Sequence, residues 1–179
     1  MERGAAPKAL DDRWPRALPN VYDPQFDEHS DRDGFRWQGE QIGRKAGAEH
    51  LGASVYELPP GDATFPYHFH FANEEMLIVL RGQPHLRGPQ GWRQLDEGEI
   101  VAFPVGKHGA HQLANRTDEP VRLLMVSEMV GPEVVVYPDS GKVGARERAP
   151  GTGTGLRETF HSSDQVDYWE GEPAPEVPS

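Results

Sequence analysis

From Gln41 to Tyr137 the chain repeats one pattern, in which short runs rich in apolar, β-branched and aromatic residues are cut by clusters of Gly, Pro, Asp and Asn. Alternation of apolar and polar positions in such runs marks strands with one buried face. The pattern predicts strands at Ser54–Leu58, Thr64–His70, Glu75–Arg81, His85–Arg87, Trp92–Leu95, Ile100–Phe103, His111–Asn115, Val121–Ser127 and Val134–Tyr137. Between them, Pro59 to Gly61, Gly88 to Gly91, Asp96 to Gly98 and Thr117 to Pro120 supply fixed φ, positive φ or a local side-chain acceptor where the chain reverses. No helix longer than about two turns is expected. The fold class is all-β, a barrel or sandwich of antiparallel strands.

The two ends read differently. Residues 1–40 are polar, with Trp14, Tyr22, Phe26, Phe35 and Trp37 scattered through them and neither helical nor alternating periodicity. They are expected to form an extended arm lying on the barrel or on a second subunit, since large aromatics would be wasted in a disordered tail. Residues 41–138 form the expected barrel, and 139–179 a C-terminal extension that docks on it through Val166, Tyr168 and Trp169. The Gly151 to Gly155 run lacks the Gly-Lys-Ser/Thr ending of a phosphate loop and reads as a flexible connector.

Composition narrows this picture without changing it. With 20 glycines and 17 prolines in 179 residues, turns and strands are favoured over long helices. The chain has no cysteine, which excludes disulfides, thiolate metal sites and cysteine nucleophiles. A net charge of −11 repels phosphate backbones, so no nucleic-acid partner is expected. No apolar run is long enough for a membrane span or a signal-peptide core, and a soluble, cytoplasmic protein is expected.

Candidate chemistry lies in the histidines, five of whose eight fall between positions 68 and 111. His68 and His70 are two apart on one predicted strand, so their rings project from the same face about 6 to 7 Å apart, a spacing that suits two ligands of one ion. Glu75 follows a bend and opens an apolar strand that a hairpin would return beside the imidazoles. His111 opens another strand, with Leu113 and Asn115 on its face. Three imidazoles and one carboxylate suit a single divalent transition metal: manganese, iron, nickel, cobalt or zinc.

These residues resemble the two motifs of the cupin family. The first, G-x5-H-x-H-x3,4-E-x6-G, is similar to Gly61 through His68, His70 and Glu75 to Gly82, with one extra residue before His68. The second, G-x5-P-x-G-x2-H-x3-N, is similar to Gly98 through Pro104, Gly106 and His111 to Asn115, with two extra residues before the histidine. The resemblance covers about residues 50–137 and implies a double-stranded β-helix, or jelly roll, with His68, His70, Glu75 and His111 as ligands. Glu75 is preferred to Glu74 because it keeps the six-residue gap to Gly82, and His111 to His108 because it keeps the gap to Asn115. Cupins commonly pair as dimers, so a homodimer is implied as well.

Alternation turns Leu77, Val79, Leu113 and Met125 inward as pocket wall, with Gln112 nearby. His108, Tyr67 and Glu57 are the titratable groups that could serve as catalytic acid or base. The expected ligand is a small, partly apolar molecule that chelates the ion through a carboxylate, carbonyl or enol. Two functions follow: a metal-dependent enzyme acting on a small organic acid or related metabolite, or a non-enzymatic module that binds a sugar or acid beside a structural metal.

Overall fold

The computed structural model describes residue 15 and residues 17–147 and 155–176. Trp14 and the glycine run from Gly151 to Thr154 lie outside the described residues. In chain order the strands are β1 (Glu28–Arg32), β2 (Phe35–Glu40), β3 (Leu51–Leu58), β4 (Phe69–His70), β5 (Glu75–Arg81), β6 (His85–Gly88), β7 (Gly91–Gln94), β8 (Ile100–Phe103), β9 (Gln112–Ala114), β10 (Val121–Glu128), β11 (Glu133–Tyr137), β12 (Lys142–Arg146) and β13 (Arg157–His161). One helical turn, α1 (Ile42–Lys45), links β2 to β3.

All named strand pairs are antiparallel, so the expected all-β class holds. A six-stranded sheet runs β1-β2-β3-β10-β5-β8, a four-stranded sheet β13-β12-β11-β4 and a three-stranded sheet β7-β6-β9. The two smaller sheets are joined where His68 and His111 exchange backbone hydrogen bonds in an isolated bridge.

The alternation along β5 and β10 explains where the core sits. Leu77 and Val79 are buried and stand opposite Met125 and Leu123 of β10. With Leu58, Phe103 and Val121 from the same sheet, they close against Leu86 and Leu113 of the three-stranded sheet. A strand period of two puts Tyr56, Leu123 and Val79 in one cross-strand row and Ser127 beside Glu75 in another, all on the inner face. Apolar side chains fill one end of the interior. Toward Glu75 the inner face turns polar and the interior opens.

Three expectations need correction. The strand expected at Thr64–His70 is reduced to Phe69–His70, because Pro66 has no N–H to give a ladder and residues 63–68 follow β9 through single contacts such as Thr64 N–H to the Leu113 carbonyl. Residues 28–40, expected as an arm without strands, form the β1–β2 hairpin, whose second strand pairs with β3. Trp37 on that strand packs edge-on against Tyr56 and Phe65, with centroids 5.2 and 5.6 Å away. At the other end, the docking expected of Val166, Tyr168 and Trp169 is not seen, since these residues are 66%, 82% and 72% exposed. After β13 the chain leaves through a 3-10 turn at Ser162–Asp164, and every described residue from 155 to 176 is exposed.

Candidate metal centre

Three imidazoles and a carboxylate converge where the core gives way to the cavity. β4 carries His70, the bridge before it His68, the start of β5 Glu75, and the bridge into β9 His111. Donor atoms of His68, His70 and Glu75 all lie within 4.8 Å of one another. Glu75 Oε2 is 3.4 Å from His70 Nε2 and 3.2 Å from His111 Nε2. The His68 and His111 rings have centroids 4.7 Å apart, as the backbone bridge between them requires.

Two of the imidazoles are anchored by an Nδ1 hydrogen bond, and the third turns Nδ1 toward a carboxylate. His68 Nδ1 donates to the Pro66 carbonyl at 2.8 Å and His111 Nδ1 to the Gly109 carbonyl at 2.9 Å, while His70 Nδ1 faces Glu133 Oε2 at 3.4 Å. For His68 and His111 this turns Nε2 inward, the arrangement that fixes tautomer and direction in histidine metal ligands. Phe103 stacks on the His111 ring, with centroids 3.9 Å apart and planes 10° from parallel, and blocks rotation.

The electrostatics carry the same signature. Burial opposes charge on His70, but contacts with the Glu133 and Glu75 carboxylates outweigh it and raise the group to about 9. Burial, with His111 and His70 as neighbours, pushes His68 down to about 3. Burial also works to raise Glu75, yet its contacts with His111 and His70 hold it well below the usual carboxylate range. Both ring nitrogens of His70 and Glu75 Oε2 are buried without a hydrogen bond, a costly condition that a cation at their common point relieves. The chemistry of the donor set fits a first-row divalent metal.

The ligand set expected from spacing is thus gathered at one place, and its rivals are not. Glu74 and His108 are exposed, the latter in the 3-10 turn Lys107–Gly109 that accounts for the lengthened second motif. The proposed acid–base groups lie elsewhere. Glu57 pairs with Arg122 at 2.7 Å on the outer face of β3, and the Tyr67 ring lies under the Arg87 guanidinium, 4.2 Å from its centroid. Neither they nor His108 line the cavity. Of the expected wall, Leu113 and Met125 do line it, whereas Leu77 and Val79 are sealed in the core and the Gln112 amide is spent on the Phe65 carbonyl.

The cavity has a volume of about 410 Å³ and rises from the His/Glu cluster between the two sheets. Several of its polar residues are invisible to motif spacing. Tyr56 stands on its wall from β3, Tyr137 from β11, and Arg44, Arg146 and Arg157 at its sides. Glu133 lies behind His70, fully buried, where its carboxylate also accepts from the Phe71 and Ala72 N–H groups and the Asn73 amide. An acidic residue after a proline gives no sign of burial; only the β11–β4 pairing reveals it.

A sandwich of antiparallel sheets with a histidine–carboxylate cluster at the open end of its interior is a jelly roll, and the cluster is a candidate metal site. Residues 54–127 match the family model described as the Cupin domain, so the central part of the chain has the character of a cupin domain. No curated protein matches the sequence. Among solved structures, a sugar phosphate isomerase from a cupin superfamily of Silicibacter pomeroyi is similar, at 23% identity and a TM-score of 0.69 over 83% of this chain and 94% of that one. A protein of Acidithiobacillus ferrooxidans described provisionally as a sugar phosphate isomerase is 24% identical, with a TM-score of 0.69 over 80% of this chain and 87% of the other. A predicted oxalate decarboxylase of Thermotoga maritima is 14% identical, with a TM-score of 0.53 over 64% of this chain and all of its own. At these identities the likeness is one of fold.

Proposed function

We propose that this cupin is a metal-dependent enzyme acting on a small anionic metabolite, an organic acid or a related phosphorylated compound. The observation that carries the reading is the cluster itself: three imidazoles gathered around one carboxylate, two of them oriented by Nδ1 hydrogen bonds to backbone carbonyls. His68, His70, His111 and Glu75 would hold one divalent ion. A bound ion would supply Lewis-acid polarisation of a substrate oxygen. The chain's own residues do the rest. Met125, Leu113 and Val135 exclude water along one side of the cavity, while Tyr56 and Tyr137 present phenol groups to what enters. Burial raises Tyr56 above its usual range, so its hydroxyl stays protonated near neutrality and can donate to a substrate oxygen.

A folded relative described as a sugar phosphate isomerase and another described as an oxalate decarboxylase both have anionic substrates in their descriptions, in keeping with this class. The same proposal includes a homodimer, supported by the exposed Tyr168 and Trp169, whose rings pack edge-on against each other at 4.7 Å with nothing of the barrel over them. The enzyme reading is tested by elemental analysis of protein purified without added metal, followed by a thermal-shift screen of carboxylate and phosphate metabolites on that material and turnover assays on the hits. Stoichiometric metal with a stabilising metabolite that is then converted supports an enzyme. A stabilising ligand that is never converted supports the binding module instead.

A further inference from the structure

Within that reading, the geometry points to a second recognition element: Arg146 and Arg157 form a subsite for the oxyanion end of the substrate, at the side of the cavity away from the chelating end. The pair stands on the β12–β13 hairpin, outside residues 54–127 that match the family model. Arg146 and Arg157 are direct cross-strand partners, so their side chains share one face, and both line the cavity. Like charges directly opposite on neighbouring strands destabilise a hairpin. Here the chain, with a net charge of −11, places two cations side by side over the same cavity.

Their partners among the described residues do not neutralise them. Arg146 reaches the Tyr137 hydroxyl at 3.4 Å, and no ion pair between described residues includes either arginine. Glu147, next in the chain, accepts from the Leu156 N–H through its carboxylate. Glu133, opposite Arg146 on β11, is buried with its carboxylate against His70 and Asn73.

A continuous wall connects this pair to the metal donors. The Tyr137 ring lies nearly parallel to the His68 ring, 25° apart in plane with centroids at 6.0 Å, and its hydroxyl touches Arg146. A molecule lying along this wall sets one end at the His/Glu cluster and the other under two guanidiniums. Arginine forks match phosphate and carboxylate oxygens in a bidentate way, so the ligand chemistry is a terminal oxyanion, of either kind.

The test is calorimetric titration of the full-length protein, after removal of metal with chelator, with inorganic phosphate in one arm and acetate in the other. The subsite is supported if either anion binds and Arg157→Gln weakens it by about tenfold or more, while Arg93→Gln, at an exposed position of β7 that does not line the cavity, leaves it unchanged. The arm that binds more tightly identifies the oxyanion as phosphate or carboxylate. Arg157 is exposed, so its substitution leaves the fold intact, and a matched melting temperature verifies this. No binding by either anion, or binding that Arg157→Gln does not weaken, overturns the inference. Because these arms contain no metal, their failure leaves the metal reading standing, and failure to load metal leaves the arginine result standing.

Discussion

His111 is buried at 3% exposure, stacked on Phe103 and tied to Gly109, whereas His108 three residues earlier is exposed. His111→Ala is therefore expected to lower bound metal by more than about tenfold and His108→Ala to leave it unchanged, as read by elemental analysis; equal losses would contradict the ligand assignment. Glu133→Gln keeps the shape behind His70 but removes the charge, and metal affinity is expected to fall by about 10- to 100-fold. Acidity gives a further expectation. In metal-free protein His70 is raised to about 9, so its contribution to stability is fully present below about pH 6.5 and is lost as pH rises through 9. His68, lowered to about 3, acts oppositely: its contribution is present above about pH 6.5 and is lost as pH falls toward 3, and lowered Glu75 adds to the loss in acid. A metal that takes His70 Nε2 must expel its proton, so uptake at pH 7.5 is expected to release about one proton, measured by calorimetry in buffers of different ionisation enthalpy. No release would contradict a protonated His70. The four candidate ligands were legible because strand alternation and spacing are local properties. Glu133 and the arginine pair were not, because each acquires its role from a strand far away in sequence.

At the scale of elements, the 3-10 turn Lys107–Gly109 determines where His111 stands. A Cβ on Gly109 would lie 1.8 Å from the Pro104 carbonyl oxygen, and the Gly109 carbonyl is the acceptor for His111 Nδ1. Gly109→Ala is thus expected to destabilise the protein by about 1–3 kcal/mol and to weaken metal binding although it removes no ligand, a pair of effects that thermal unfolding and metal titration would report together. Unchanged affinity would mean that the turn does not position the ring. The strands that reading by alternation located best, such as Glu75–Arg81 and Ile100–Phe103, are those with one face against the core. Among those it missed are the edge strands β1 and β13. Glu28–Arg32 is a run of charged and polar residues held in place by Phe35–Glu40, and Arg157–His161 is exposed at every position, so neither carries an apolar alternation to read. Asn115 illustrates a motif residue with a structural task, since its amide donates to the Leu58 and Glu119 carbonyls and closes the turn after β9.

For the whole molecule, apolar side chains such as Leu51, Phe71 and Ile100 stay exposed on the barrel, and after β13 Val166, Tyr168 and Trp169 are left exposed together. The homodimer proposal assigns that area to a second copy. Removing residues 165–179 spares every strand, so light scattering is expected to show a full-length dimer and a folded monomer after truncation; a full-length monomer would end the proposal. Residues 28–40 are unsuitable for such a deletion because β2 is paired with β3 and carries Trp37 against Tyr56. The central claim is the metal centre, and anomalous diffraction at the absorption edge of the metal found in the purified protein tests it most directly. The expected result is one peak per chain, about 2.0–2.3 Å from Nε2 of His68, His70 and His111 and from a carboxylate oxygen of Glu75. A map with no peak among these four side chains, in protein soaked with a first-row divalent metal, would contradict it.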